Sequence, residues 1–288
     1  MTVGVRRAAA GLVSAIAFLM LGSVASVAAS PGGPPPIDDL AASVPEMPGK
    51  TWLDLLRQLF PDITEAQTVS IGATASAIIP LRSIGAADEG WLQCDGGIKI
   101  RNVDARPAQL AGRRYLVVTV EIPNDCAGLL ALFDETGKLV DAVNVKGDQH
   151  VSFSGEYVRP LGTGGALVIA SNWHDNSNQS YDLTMLVLAR PEGFSSIGGV
   201  FALGSRTCRE VVTEETTVRV VRDGAPLARI DVEVRRRIQK LAEDCETKLP
   251  HPAVALFRGS WRWNAKKAAY DARTDELARL AAWNEKHF

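Results

Sequence analysis

The sequence predicts a mainly β protein: an antiparallel β-meander, propeller-like or sandwich-like, with an N-terminal amphipathic helix and a C-terminal strand–helix cap. Three observations carry this prediction. Apolar residues recur with period two from about Thr68 to Val234. Turn signals such as Glu135-Thr136-Gly137 and Asp223-Gly224 punctuate those runs. The clearest stripes of period 3.6 flank the region, at Trp52–Phe60 and Thr274–Glu285.

The first segment is a targeting sequence rather than part of the fold. Residues 1–29 carry Arg6 and Arg7 as their only charges, then an apolar run from Ala8 to Leu21, then small residues suited to a signal peptidase near Ala28. An uncleaved anchor would need a more apolar second half than Ser, Ala and Gly provide. Twin-arginine export lacks its Phe-Leu pair after the arginines. Removal of residues 1–29 leaves about 259 residues, enough for one large β domain or two ordinary ones. Residues 30–49 follow as a mobile leader: 31–49 hold six prolines and three glycines, and proline fixes φ while removing a donor. A single mainly β domain with flanking helices is expected over 50–288.

Charge and cysteine content narrow the class. Loss of Arg6 and Arg7 takes 31 basic residues to 29 against 33 acidic ones, a formal charge near −4. That mild acidity is no nucleic-acid footprint, and no later apolar run reaches spanning length, so no membrane span is expected after signal removal. The localisation expected from the leader is secreted or periplasmic. Cys94, Cys126, Cys208 and Cys245 form no Cys-x-x-Cys and have no histidine at zinc-ligand spacing. An even count in an oxidising compartment predicts two disulfides. Three pairings are possible; Cys94–Cys126 with Cys208–Cys245 is preferred because each closes a loop of some 32 to 37 residues.

Along the chain, Trp52, Leu55, Leu56, Leu59 and Phe60 fall at i, i+3, i+4, i+7 and i+8, an amphipathic helix that Pro61 ends and whose apolar face packs on a sheet. VSIGATASAII is a weak strand pair, and RRYLVVTVEI (113–122) is the most strand-like run. LLALFD and KLVDAVNV read as a hairpin, with Gly137 taking positive φ. HVSFSGEY, GALVIASNW, LTMLVLAR and residues 194–203 continue the pattern. In TTVRVVRDGAPLARIDVEV, Arg219, Arg229, Asp231 and Glu233 face out while Val218, Val220, Ile230, Val232 and Val234 face in, as in a sheet buried on one face. RRRIQKLAEDC places Ile238, Leu241, Ala242 and Cys245 on one side of a helix. The terminal helix begins at Thr274 as N-cap. One internal echo, strand–loop–strand–turn–strand, recurs at about 51 to 57 residues, near a propeller blade's length but equally the text of a sandwich.

Chemistry-bearing motifs are sparse. SNWHDNSNQSYDL (171–183) resembles a calcium loop in composition, but started at Asp175 its sixth position is Ser180 and its twelfth is Leu186, so the glycine and final carboxylate are missing. Asn, Asp and Ser bend chains by bonding nearby backbone amides, and a polar bend joining Val168–Ser171 to Leu183–Leu188 accounts for the run. There is no Gly-x-Ser-x-Gly elbow, no His-Glu-x-x-His and no phosphate or dinucleotide loop. No metal site or cofactor is expected. Asp38-Asp39, Asp88-Glu89, Glu214-Glu215 and the arginine run 235–237 read as solvated charges. Three of the six tryptophans lie in the last 28 residues; Trp261 and Trp263 share a strand face with Phe257, as core or as an exposed sugar-stacking ladder, with core favoured.

The function expected on these grounds is an exported non-catalytic binding or envelope-associated protein, with a protein, small-molecule or glycan partner. The alternatives are a secreted hydrolase using the 172–182 loop and a glycan-binding module. Candidate ligand-contacting residues are His174, Asp175, Asn178, Tyr181, Trp261 and Trp263.

Overall fold

A computed structural model describes residues 37–63, 73–84, 97–100, 102–122, 127–146, 150–153 and 155–287. The signal segment, the first part of the leader, Asp88-Glu89, Cys94 and Cys126 lie outside the described residues, so the Cys94–Cys126 pairing does too. The fold is mainly β and antiparallel, and it is layered.

The leader is not loose throughout. Leu40, Val44 and Met47 are buried, the Ile37 amide donates to Val103 O at 2.9 Å, and the Trp52 and Leu53 amides donate to Ala42 O and Leu40 O. Apolar residues between the prolines give this stretch a face that docks, which corrects the expectation of mobility for residues 37–49. Helix α1 (Trp52–Leu56) follows. Thr51 caps it: Thr51 Oγ1 accepts from the Asp54 amide at 3.2 Å, and Asp54 Oδ2 accepts from the Thr51 amide at 2.9 Å, a capping box. The Thr51 amide and hydroxyl, both donating to the Asp54 carboxylate, hold it below its ordinary range. The regular helix is shorter than its stripe, continuing as turns, but Trp52, Leu55, Leu56, Leu59 and Phe60 are all buried.

Strand β1 (Ala73–Ala75) pairs with β3 (Ile98–Ile100) as a small two-stranded sheet. The second sheet runs β2 (Arg82–Ser83), β7 (Leu139–Asn144), β6 (Ala127–Asp134), β5 (Arg113–Ile122), β4 (Asn102–Leu110), a meander with β2 added in parallel. The β6–β7 turn is the expected one, with Gly137 at φ 78°. This sheet is buried on both faces. Leu116, Val118, Val120, Leu129, Ala131 and Phe133 pack on the N-terminal segment, whereas Val117, Leu130, Leu132 and Val143 face the next sheet. The continuous apolar runs of β5 and β6 therefore belong to a middle layer rather than to one-sided ribbons.

The third sheet is the largest. Its path is β16 (Ala269–Ala272), β15 (Ala253–Asn264), β14 (Arg229–Lys240), β13 (Glu210–Val221), β12 (Gly193–Arg206), β11 (Gln179–Arg190), β10 (Gly165–Asp175), β8 (His150–Ser152), with β9 (Val158–Gly162) also on β10. Its β10–β11 portion presents Val168, Ala170, Met185 and Val187 to the middle layer, so the two echoing sequence segments are two meanders packed face to face. Strands β12 and β13 share only the pairs Ser205↔Val212 and Arg206↔Val211. Beyond them β13–β16 packs on the outer face of β10–β12, where Leu167, Leu186 and Leu188 meet Ile230, Val232, Val234 and Trp261. The architecture is thus a layered stack of open sheets.

Three local expectations are corrected. Residues 235–240 continue β14 instead of turning helical, because the inward parity of Val232 and Val234 extends to Arg236. Helix α2 (Glu276–Glu285) has Asp275 at its N-cap position with no side-chain cap bond, while Thr274 Oγ1 donates to Arg258 O. Glu214 and Arg236 are buried rather than solvated. Cys208 and Cys245 form the expected disulfide, with Cα atoms 4.4 Å apart.

Candidate functional site

The polar run 172–182 is mostly strand. β10 and β11 pair without interruption from Ala166↔Ala189 to Asp175↔Ser180, so only Asn176–Asn178 form the turn. Asn176 Oδ1 accepts from the amides of Asn178 (3.2 Å) and Gln179 (2.9 Å), the side-chain-to-backbone bonding its composition predicts. The Arg206 amide donates to Asn178 O and Gln179 Nε2 donates to His287 O, fixing the tip to β12 and to the end of α2.

Alternation then sorts the candidates onto two faces. His174 and Tyr181 are cross-strand partners with rings stacked at 5.5 Å, and Tyr181 meets Phe201 at 5.0 Å. The opposite face carries Trp173, Asp175 and Asp182. There the tip of β10–β11, β12 and the start of β13 enclose a cleft of about 240 Å³, lined in part by Trp173, Asp175, Ser180, Asp182, Thr213 and Glu214. Tyr181 also borders it. A neighbouring cleft of similar volume adds Asn178, Gln179 and Arg206. The structure therefore gathers Asp175 and Asn178 and sets the stacked His174 and Tyr181 rings on the other side of the hairpin. Trp261 is buried in the outer layer, and Trp263 lies against Tyr270 and the Arg190 guanidinium. Neither tryptophan lines the clefts.

Trp173 is 38% exposed, and its indole is backed by His150 at 4.3 Å. Asp182 is pushed above the ordinary carboxyl range by burial, against a lowering contribution from Thr184 Oγ1, which donates to it at 3.2 Å. Glu214 is committed: Oε1 accepts from Arg236 Nε at 2.5 Å, and Oε2 accepts from the Leu203 amide (2.8 Å) and Asn284 Nδ2 (2.7 Å). Arg236 Nη2 donates to Asn284 Oδ1 at 2.9 Å, and its guanidinium lies 3.9 Å from the Trp283 ring centroid. This network fastens α2 to the back of the cleft.

Trp173, Glu214 and Arg236 escape motif-based reading, and composition marks Asp182 only as a candidate oxygen ligand of a loose calcium loop. Strand parity holds a signal for Arg236, which shares its side with Val232 and Val234; pairing with Glu214 requires the β13–β14 register. Among the described residues no group of three or more His, Cys, Asp or Glu is placed to hold a metal ion. No helix among them is long and apolar enough to cross a membrane. Set against known protein families, curated proteins and solved structures, the chain matches none of them.

Proposed function

We propose that this chain is an exported, non-catalytic binding protein whose ligand-contacting end is the Trp173 cleft. The exposed indole carries the reading: one face is backed by His150, and the cleft beyond it is bordered by hydroxyls and carboxylates from Ser180, Thr213, Asp175 and Asp182. An aromatic platform beside hydrogen-bonding groups suits a polyhydroxylated ligand such as a glycan, with apolar ring faces stacked and hydroxyls donating to the acids. Glu214 takes no part in holding it, being occupied by Arg236, Asn284 and a backbone amide. Export rests on the leader sequence.

One observation favours a hydrolase as the second reading. Burial raises the Asp182 carboxyl above its ordinary range, and a second carboxyl, Asp175, borders the same cleft, so two acids flank one space. On that reading Asp182 is the proton donor, and His174, on the opposite face, has no direct part.

Titration of the protein with a panel of soluble oligosaccharides, followed by tryptophan fluorescence, separates the readings. Saturable quenching that Trp173→Ala abolishes, with binding kept by His174→Ala and no turnover of the bound sugar, is the expected result. Absence of quenching across the panel overturns the glycan reading. Turnover that Asp182→Asn abolishes makes the protein a hydrolase. Intact-mass measurement of exported material tests cleavage near Ala28.

A further inference from the structure

β15 leaves half of its outer edge open. It pairs with β14 over nine consecutive positions from Ile230↔Trp261 to Ile238↔Ala253, but β16 covers only Trp261–Asn264. Ser260 O accepts from the Arg273 amide and Arg258 O from Thr274 Oγ1, so residues of that parity direct their backbone groups away from β14. Leu256 and Val254 share the parity, and among the described residues nothing bonds their outward N–H and C=O groups. Ala253, Val254, Ala255 and Leu256 are all exposed, with Val254 at 50% and Leu256 at 41%. Native edge strands are normally blunted by lysine, proline or a bulge. This segment has none of the three; Pro252 lies just before it.

The two sides of the open edge differ. On the outer side Leu256 is flanked across β14 by Arg235 and Val254 by Arg237, both exposed and neither ion-paired among the described residues. On the inner side lie Ala253, Ala255 and Phe257, the last 5.0 Å from the Arg236 guanidinium that also stacks on the 39%-exposed Trp283. A strand added here meets an outer face on which Arg235, Arg237 and Arg258 outnumber Glu215 and Glu233, and an inner face of Ala253, Ala255 and Phe257. A second copy of this chain is disfavoured as the occupant, because two-fold antiparallel pairing about Ala255 sets the Arg235/Arg237 rows on a common face, like charge toward like.

We propose that the Ala253–Phe257 edge of β15 is a strand-addition site for an extended segment of a partner protein that alternates acidic and apolar residues. Backbone bonds to Val254 and Leu256 hold the segment, its apolar residues lie by Phe257 and Trp283, and its acids reach the arginines. Those arginines stand about 10 Å from the added strand, two inter-strand spacings, which their long stems and a glutamate span together.

The test uses a dye-labelled, end-blocked heptapeptide alternating valine and glutamate, with a valine–lysine peptide as control, in anisotropy titrations against the full chain. The glutamate peptide is expected to bind saturably and at least tenfold more tightly than the lysine one. Leu256→Pro removes an N–H that β14 does not use and is expected to weaken binding tenfold or more. The double variant Arg235→Glu/Arg237→Glu, which changes exposed side chains only, is expected to reverse the preference between peptides. Failure of both peptides to bind, equal binding of both, or binding indifferent to both variants overturns the proposal. Dimerisation in sedimentation equilibrium that Leu256→Pro abolishes overturns it in favour of a second copy.

Discussion

Substitution Glu214→Ala is expected to cause a large, localised loss of stability. The Glu214 side chain is wholly inaccessible and that of Arg236 is 10% exposed. Removing the carboxylate leaves a buried guanidinium with Asn284 Oδ1 and two aromatic faces, strips the acceptor from the Leu203 amide, and leaves Asn284 Nδ2 with Phe201 O alone. Breaking a buried pair from one side costs about 3–5 kcal/mol. Each abandoned donor adds to that unless water reaches it, and the adjoining cleft admits water, so a loss of about 4 kcal/mol is expected. At about 2–4 °C per kcal/mol for a domain of this size, the Tm falls by about 8–16 °C. Urea unfolding followed by tryptophan fluorescence reads the magnitude. Amide exchange reads its place: α2 is expected to lose protection first, because Asn284 is its tie to β12 and β13. Replacing both charges, as Glu214→Leu/Arg236→Met, is expected to be less destabilising than Glu214→Ala, since no charge is then stranded. A loss below about 1 kcal/mol for Glu214→Ala, or a double variant no better than the single one, refutes the reasoning.

Three further outcomes follow from the same structure. Asp182→Asn is expected to raise stability at pH 7: burial holds the folded carboxyl above its ordinary 3.8, so the folded state binds more protons and parent stability falls as pH rises from about that value through the raised one. Urea melts across pH 3 to 8 should show the gain vanish once both states are protonated; a gain of equal size at every pH contradicts the assignment. Cys208→Ala/Cys245→Ala opens a bridge of sequence separation 37 and is expected to cost about 3–4 kcal/mol, read by comparing melts of the variant with those of the oxidised parent; equal stability contradicts it. Gly198→Ala places a methyl 2.9 Å from Trp261 Nε1 and 3.2 Å from its Cε2, so Trp261 must shift; a loss of about 1–3 kcal/mol and an altered indole emission are expected, and an unperturbed protein rules out the close approach of β12 and β15.

The chain's local periodicities determined much of this. Alternation marked the strands, Gly137 and the Asp223-Gly224 pair marked turns, and the stripe at Trp52–Phe60 marked the residues that cover one face of the middle sheet. Each depends on neighbours within a few positions, which is the range over which backbone sterics and side-chain parity act. Asn176 likewise bends its own backbone without outside help.

Tertiary structure alone decided how the sheets meet. Parity states that Arg236 shares a side with Val234, but not whether that side faces solvent or Glu214; the answer depends on a register 22 residues apart and on α2 arriving from position 284. Trp173 and Asp182 form a cleft because β12 and β13 part after two pairs and the outer layer folds over, an event with no local sequence signature. The same folding leaves Val254 and Leu256 uncovered, since β16 is too short to reach them. Strand parity is a property of the residue, whereas burial is a property of what another segment of chain, far away in sequence, comes to cover.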